Sequence, residues 1–244
     1  MLADENALSL AGGALLIIDM QNDFLHQSGY YARRKLLEAR PDWDDLTSEE
    51  KRILLGANDP SDLRGYRAAE LIETVAAVSR SVALARTAKW PIAFIRASYD
   101  RNFPRMPPLL SNDLERRHYP CRCDTWGARL IDDVQVLADA GGGLLERTFE
   151  KHTYDAFTNP ELNAFFRALG VRCLFVCGVE THVCVAATAQ SAVMLGYRAA
   201  IVEDAVWSAN QTLGRAALSI FANAFGQCIP VAALEAGEFG LRRT

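Results

Sequence analysis

Six cysteines are spread along the 244-residue chain, and a thiol that loses its proton is a strong nucleophile. None of the six belongs to a Cys-x-x-Cys pair, and the chain is long for a disulfide scaffold, so we expect reduced thiols. For each one, the question is whether its surroundings make it reactive or leave it as a small packing residue. The six are Cys121, Cys123, Cys173, Cys177, Cys184 and Cys228.

Cys184 has the sequence context of a nucleophile. It ends the segment Gly178-Val-Glu-Thr-His-Val-Cys184, which follows an apolar run typical of a buried strand. With Thr181 as the predicted N-cap, Cys184 is the third residue of a helix. Unpaired backbone N–H groups and the positive end of the helix dipole favour the thiolate there.

The sequence contexts of the other five cysteines do not indicate a nucleophile. Cys173 and Cys177 fall inside a predicted strand and Cys228 in a predicted edge strand, where a cysteine packs as a small apolar side chain. The remaining two fall in a loop. A zinc site in that loop is an alternative, and it would use Cys121, Cys123 and His118.

A nucleophilic thiol also needs a partner that takes its proton. Asp19 directly follows the wholly apolar run Ala14–Ile18, and a capping or loop aspartate is the alternative interpretation. Lys151 and His152 follow the third predicted strand, and position alone does not choose between them. Ligands of open parallel sheets bind at the carboxyl ends of the strands, so these residues are expected to meet there.

Apolar runs and amphipathic stretches alternate along the chain, which predicts an α/β fold with helices on both faces of a parallel sheet. Between the second and third strands the pattern indicates a loop. Asn159 and Pro160 predict a helix start. The predicted strands are Ala14–Ile18, Pro91–Ala97, Gly143–Phe149, Arg172–Cys177, Tyr197–Val202 and Gln227–Pro230; the predicted helices are Tyr66–Lys89, Asn159–Leu169, Thr181–Leu195 and Thr212–Ala224.

Composition narrows the class of protein. The net charge is −4 and the pI about 5.6, which disfavours a nucleic-acid partner. No apolar run reaches the ~20 residues of a membrane span and no basic secretory leader is present, so we expect a cytoplasmic protein with no membrane partner. We predict one domain over residues 1–244, with a polar surface insertion at about 31–62 that could be a lid or an oligomer contact.

Four segments together resemble the isochorismatase-like cysteine hydrolase superfamily, in its amidohydrolase branch of ureidoacrylate, biuret and N-carbamoylsarcosine hydrolases. The first and last of these segments are the most specific. They are LLIIDMQNDF (15–24), CDTWGARLID (123–132), FEKHTYDAF (149–157) and CGVETHVCVAATAQSAVMLGYRAAIVEDAV (177–206).

The resemblance implies a three-layer fold with six parallel strands in the order 3-2-1-4-5-6 and a catalytic triad of Asp19, Lys151 and Cys184. It also implies a non-proline cis peptide bond at Val179–Glu180 and an oxyanion hole made by the backbone N–H groups of Glu180 and Cys184. Family members commonly form homo-oligomers, so we expect one here.

The implied activity is hydrolysis of a C–N bond in a small amide or ureide through a thioester on Cys184, with no cofactor. The chain has no Asp-x-His motif, which disfavours the metal site of family nicotinamidases, and we predict no metal. Six arginines between residues 96 and 122 could bind a substrate carboxylate, or they are a solvated loop. The residues predicted to bind substrate are Phe24, Tyr30, Trp126 and Tyr154.

Two other functions stay open at this point. One is the cleavage of a vinyl ether, as in isochorismatase itself. The other is a binding protein that keeps the fold without catalysis, although the complete set of Asp19, Lys151 and Cys184 argues against it.

Overall fold

The structure is a computed structural model that describes residues 12–26, 29–32, 41–42, 44–47, 50, 69–99 and 119–237. Most of the insertion predicted at 31–62 lies outside these residues. The same is true of His118 and of the arginines at positions 101, 105, 116 and 117.

A six-stranded, all-parallel sheet forms the centre of the fold. Its strand order is β3-β2-β1-β4-β5-β6, so the predicted order 3-2-1-4-5-6 is confirmed. The strands are β1 Gly13–Ile18, β2 Ile92–Ala97, β3 Glu146–Lys151, β4 Cys173–Val179, β5 Arg198–Trp207 and β6 Gln227–Ile229. After β3 the chain returns to the other side of β1, where β4 pairs with it, so β1 and β4 are neighbours at the switch point of the sheet.

Helices cover both faces of the sheet and give the three layers that were predicted. Side chains of α2, α3 and α7 join one core cluster, and side chains of α4, α5 and α6 join the cluster on the opposite face. The helices of the described residues include α1 Asn22–Leu25, α2 Ala69–Thr87, α3 Asp132–Ala140, α4 Pro160–Ala168, α5 Ala186–Met194, α6 Gln211–Ala224 and α7 Val231–Ala236.

Three of these helices, α1, α3 and α7, were not predicted. The segment of α3 was expected to be a loop, and its N-cap position is Ile131, which offers no side-chain hydrogen bond to the first turn. Residue Pro230 at the start of α7 gives none either. By contrast, the predicted start of α4 is confirmed, because Asn159 accepts a hydrogen bond from the Glu161 backbone N–H. Helices without a capping residue leave little signal in the sequence.

The third strand was placed too early in the sequence. It was predicted at Gly143–Phe149, whereas β3 spans Glu146–Lys151 and therefore includes the lysine of the predicted triad. This strand is at the edge of the sheet, and Phe149 and Lys151 are its fully buried residues, so its apolar pattern is weak. No helix in the described ranges is both long and apolar enough to cross a membrane.

Candidate active site

Asp19, Lys151 and Cys184 meet at the carboxyl edge of the sheet. The Lys151 Nζ atom lies 2.8 Å from Asp19 Oδ2 and donates a hydrogen bond to Cys184 Sγ at 3.3 Å. All three side chains are buried, and Cys184 retains 5% of its exposure. The structure thus places the three residues of the predicted triad in mutual contact, with the lysine between the carboxylate and the thiol.

Lys151 reaches this position from the far side of a neighbouring strand. It ends β3, and its register partner on β2 is Ala97, so the lysine side chain has to extend past the end of β2 to reach Asp19. Lys151 Nζ also donates to the Thr153 backbone oxygen at 2.9 Å. Burial alone lowers the pKa of a lysine, but the negative charge of Asp19 and the hydrogen bonds to Asp19 and Cys184 outweigh it and raise the pKa of Lys151, which holds the ammonium form.

Asp19 has a left-handed backbone conformation with φ of 51°. Along β1 the side chains alternate between the two core clusters, and Ile18 belongs to the cluster that contains Cys184. Strict alternation would turn the next side chain, that of Asp19, toward the opposite face. The left-handed residue interrupts this alternation where the carboxylate contacts Lys151. Burial raises the pKa of Asp19, and the Lys151 charge opposes that rise.

Cys184 lies in a wide π-helical turn, Thr181–Val185, that precedes α5. The predicted N-cap at Thr181 is therefore wrong: the cap position is Glu180, and Thr181 is the first residue of the turn. The turn fits tightly against α6, because a Cβ atom added at Gly214 would lie 3.0 Å from the Cβ atom of Ser208 and 3.8 Å from that of Thr181.

Burial raises the pKa of the Cys184 thiol, and the Lys151 charge only partly offsets this. The expectation that a helix start would favour the thiolate is therefore not met in this structure, since loss of solvation is the larger effect. The Asp19 carboxylate is within hydrogen-bonding reach of this thiol, and Lys151 contacts both groups.

Gln21 fixes the ends of β1 and β2 relative to each other. Its side-chain amide donates to the Ala97 oxygen at 2.8 Å and accepts from the Ala97 N–H at 2.7 Å. A further hydrogen bond to the Ala128 oxygen, at 2.7 Å, joins the loop that carries Trp126. Sequence reasoning did not single out Gln21, although a glutamine two residues after a buried aspartate was part of the matching segment.

Asp23 joins three loops around the same edge. Its buried carboxylate accepts hydrogen bonds from the Tyr30 N–H at 3.1 Å and from the Cys121 N–H at 2.7 Å. The carboxylate also packs against Gly127, where an added Cβ atom would overlap it. Two backbone hydrogen bonds and the close contact with Gly127 thus hold the Asp23 side chain. Asp23 in turn links the segments that carry Tyr30, Cys121 and Gly127.

The predicted substrate-binding residues lie in different settings. Phe24 is buried and stacks on Tyr31 with 5.3 Å between ring centroids. Tyr30 is also buried. Trp126 is 45% exposed and meets the ring of His26 edge-on at 4.9 Å. The half-buried Tyr154 packs against the cluster that contains Cys184. Their role in binding stays a prediction.

Tyr31 and Tyr99 lie close to the triad, and sequence reasoning missed both. Burial raises the pKa of each phenol, and the neighbouring charges of Cys184 add to the rise. Tyr99 is also influenced by Asp19, and Tyr31 by Glu180. Tyr99 lies two residues after the end of β2, and this position near a strand end could have identified it. No such signal marks Tyr31 in the sequence, apart from its neighbour Tyr30.

The peptide bond between Val179 and Glu180 is cis, as the resemblance implied. The Glu180 side chain points its Oε2 atom at the residues after β5, where it accepts from the Ser208 hydroxyl at 3.0 Å and from the Ala209 N–H at 2.9 Å. Burial raises the pKa of the Glu180 carboxyl, and these two hydrogen bonds oppose the rise.

The other five cysteines differ in burial. Cys173 and Cys177 are buried in β4, and burial raises the pKa of Cys173 to about 12. Cys228 lies in the edge strand β6, with its pKa raised to about 11. Cys121 is buried and Cys123 exposed. Across the described ranges, no three or more His, Cys, Asp or Glu side chains are grouped to hold a metal ion.

A sequence profile of the isochorismatase domain matches residues 57–233, well over half of the chain. The chain belongs to the isochorismatase family, and the superfamily assignment made from the sequence is confirmed. It is 27% identical over 206 residues to the ureidoacrylate amidohydrolase RutB of Variovorax paradoxus (strain S110), covering 82% of this chain and 70% of that protein. Over 82 residues it is 43% identical to the uncharacterized isochorismatase family protein YddQ of Bacillus subtilis (strain 168), covering 34% of this chain and 42% of that protein.

Solved structures with the same fold include two amide hydrolases. N-carbamoylsarcosine amidase from Thermoplasma acidophilum superposes with a TM-score of 0.60 at 19% identity, covering 89% of this chain and 95% of that one. The nicotinamidase PncA from Bacillus subtilis gives a TM-score of 0.64 at 23% identity, with coverages of 90% and 99%. At these sequence identities, the similarity to the two solved structures establishes the fold of this chain and no more.

Proposed function

We propose that this chain is a cysteine hydrolase that cleaves the C–N bond of a small amide or ureide. The observation that carries the proposal is the buried contact of Lys151 with both Asp19 and Cys184, at 2.8 and 3.3 Å. A fully buried charged pair beside a thiol has a large desolvation cost, and catalytic sites are where such arrangements are common. The similarity to ureidoacrylate amidohydrolases supports the same class of bond.

In the first half of the reaction, Asp19 accepts the thiol proton of Cys184 as the sulfur attacks the substrate carbonyl. Lys151 stabilises the negative charge that passes from the carboxylate to the sulfur, because its ammonium contacts both. The tetrahedral oxyanion is held by the backbone N–H groups of Glu180 and Cys184. One such donor contributes roughly 3–4 kcal/mol in other hydrolases.

In the second half, the C–N bond breaks and the proton on Asp19 moves to the departing nitrogen, which leaves as ammonia or an amine. Water then attacks the thioester and gives its proton to Asp19. The carboxylic acid is released and the thiol of Cys184 regains a proton. The raised pKa of Asp19 suits this cycle, since a carboxylate that is easier to protonate is a better base and its acid form remains available.

The substrate is proposed to be small and neutral at its reacting end. Cys184 is 5% exposed, and the phenols of Tyr31 and Tyr99 lie near enough to interact with it electrostatically. Of the arginines predicted to bind a substrate carboxylate, Arg96 is already paired with Glu150 at 2.6 Å. A carboxylate on the substrate would therefore need a partner other than Arg96.

A panel of small amides and ureides tests the proposal through ammonia release. The wild-type protein is expected to release ammonia from at least one compound, and Cys184→Ala and Asp19→Asn are each expected to reduce the rate to the uncatalysed background. Folded Cys184→Ala protein that keeps its turnover would contradict the assignment. The variant Cys173→Ala is a matched control, because it removes a buried thiol that faces away from the triad.

A further inference from the structure

The Glu180 side chain makes a connection that the proposed reaction does not use. In the ladder between β4 and β5, Val179 is in register with Trp207, and the next residues along the two strands are Glu180 and Ser208. Regular backbone pairing ends here. Beyond this point the Glu180 carboxylate links the two strands by accepting two hydrogen bonds, from the Ser208 hydroxyl at 3.0 Å and the Ala209 N–H at 2.9 Å.

His182 extends this connection by one more group. Its Nδ1 atom lies 2.6 Å from the Ser208 hydroxyl oxygen. Since the single hydroxyl hydrogen of Ser208 is directed at Glu180, the Nδ1 atom must carry the hydrogen and donate it to Ser208. The three side chains therefore form one chain, His182 to Ser208 to Glu180, with all donors running toward the carboxylate.

The Glu180 carboxylate is buried, so its hydrogen bonds with Ser208 and Ala209 replace contacts with water that it has lost. The Glu180 side chain is 11% exposed, and its second oxygen, Oε1, is buried without a hydrogen-bond partner among the described residues. Without the carboxylate, the Ser208 hydroxyl and the Ala209 N–H would lose the acceptor that they share. The side chain is thus held firmly, and the main chain of the same residue with it.

We infer that the side chain of Glu180 is a positioning group for its own backbone N–H, which the proposed function uses in the oxyanion hole. The inference rests on that proposed function. Ser208 and His182 support the same residue from the end of β5, so the geometry of the hole depends on a neighbouring strand as well as on the turn that carries Cys184. The position of the oxyanion donor is then set by the Glu180 carboxylate in addition to the backbone.

Two reactions of Cys184 separate this role from general support of the fold. A small aldehyde such as propanal adds to the thiol: the S–C bond forms, the thiol proton moves to the former carbonyl oxygen, and that oxygen occupies the oxyanion hole. In alkylation by iodoacetamide the S–C bond forms as the C–I bond breaks, iodide leaves and the thiol proton passes to solvent, so no oxyanion forms in the hole. The first reaction depends on the hole and the second does not.

The experiment measures the rate of alkylation and the affinity for the aldehyde at Cys184 in each variant. Mass spectrometry of the Cys184 peptide gives the alkylation rate, and the propanal concentration that halves this rate gives the aldehyde affinity. Glu180→Ala and Ser208→Ala are expected to weaken the aldehyde affinity about tenfold, since displacing a donor costs less than the 10²–10³ of removing one, with alkylation within about twofold of wild type. Glu180→Gln keeps a carbonyl oxygen in reach of both donors and should recover most of the affinity.

The control is Gln211→Ala, because Gln211 donates to the Ser208 backbone oxygen and, among the described residues, has no hydrogen bond to the carboxylate. It should leave both quantities unchanged. An unaltered aldehyde affinity in Glu180→Ala, or an equal fall in both reactions, would overturn the inference while leaving the proposed function standing. If propanal gives no protection of Cys184 in the wild-type protein, the proposed function fails and the inference fails with it.

Discussion

Lys151 and Asp19 form an ion pair at 2.8 Å in which both side chains are completely shielded from solvent. Such pairs contribute little net stability, because the cost of removing two charges from water offsets their attraction. Removing one partner is a different matter, since it leaves the other charge buried and alone. The pair is best understood as a functional feature that the rest of the fold has to support.

Lys151→Met should destabilise the protein by about 3–5 kcal/mol at neutral pH, because it leaves the Asp19 carboxylate buried without its cation. The double variant Asp19→Asn/Lys151→Met removes both charges and should regain much of that loss. Urea unfolding of the three proteins measures the free energies. Equal stability of Lys151→Met and wild type would show that the pair is not buried as described.

Alkylation of Cys184 should accelerate with pH over a wider range than an ordinary thiol. A free thiol has a pKa of about 8.5 and its reactivity levels off above about pH 9. Burial raises the pKa of Cys184, so its thiolate fraction should still be rising at pH 9. Iodoacetamide rates for the Cys184 peptide between pH 7 and pH 10, with N-acetylcysteine as reference, test this. A plateau below pH 9 would mean that the thiolate is already formed.

Gly127→Ala should disturb the loops around the site. An added Cβ atom would overlap the Asp23 carboxylate, which two backbone N–H groups hold in place. Overpacking of this kind costs typically about 1–3 kcal/mol, and KM should rise because Asp23 also anchors Tyr30 and Cys121. Thermal unfolding and steady-state kinetics measure both effects. Gly142→Ala is the matched control, because nothing lies within 4 Å of its added Cβ atom.

Trp126→Ala tests one predicted substrate-binding residue. The ring is 45% exposed, so its loss should leave the melting temperature nearly unchanged. If the ring contacts substrate, KM should rise about tenfold, equivalent to roughly 1.4 kcal/mol, with kcat little affected. Val136→Ala removes an apolar side chain that is also exposed and should change neither quantity. Unchanged KM in Trp126→Ala would remove Trp126 from the binding site.

The sheet and its order were predictable because the buried strands are continuous apolar runs and the matching segments occur in the family's order. The positions of Asp19 and Cys184 followed from the same source: Asp19 directly follows such a run, and the segment that ends at Cys184 follows another. Lys151 was harder. Its strand is at the edge of the sheet and alternates weakly, and the preference for Lys151 over His152 came from the resemblance.

What the sequence did not reveal depends on contacts between distant residues. The Ser208 hydroxyl and the Glu180 carboxylate are far apart in the chain, and only the pairing of β4 with β5 brings them together. Tyr31 and Tyr99 come from two segments that are distant in the sequence. The turn around Cys184 is wider than an α-helix, and one-residue differences of that kind are invisible in an apolar pattern.

The left-handed backbone at Asp19 restricts which amino acids the position can hold. Aspartate, asparagine and glycine accept a positive φ readily, whereas most other side chains do so at a cost of roughly 1–2 kcal/mol. A glutamate could supply the same acid–base group but would strain the backbone and place its carboxylate one methylene further out. The proposed base is therefore selected twice, once by its proton affinity and once by the handedness of the residue that presents it.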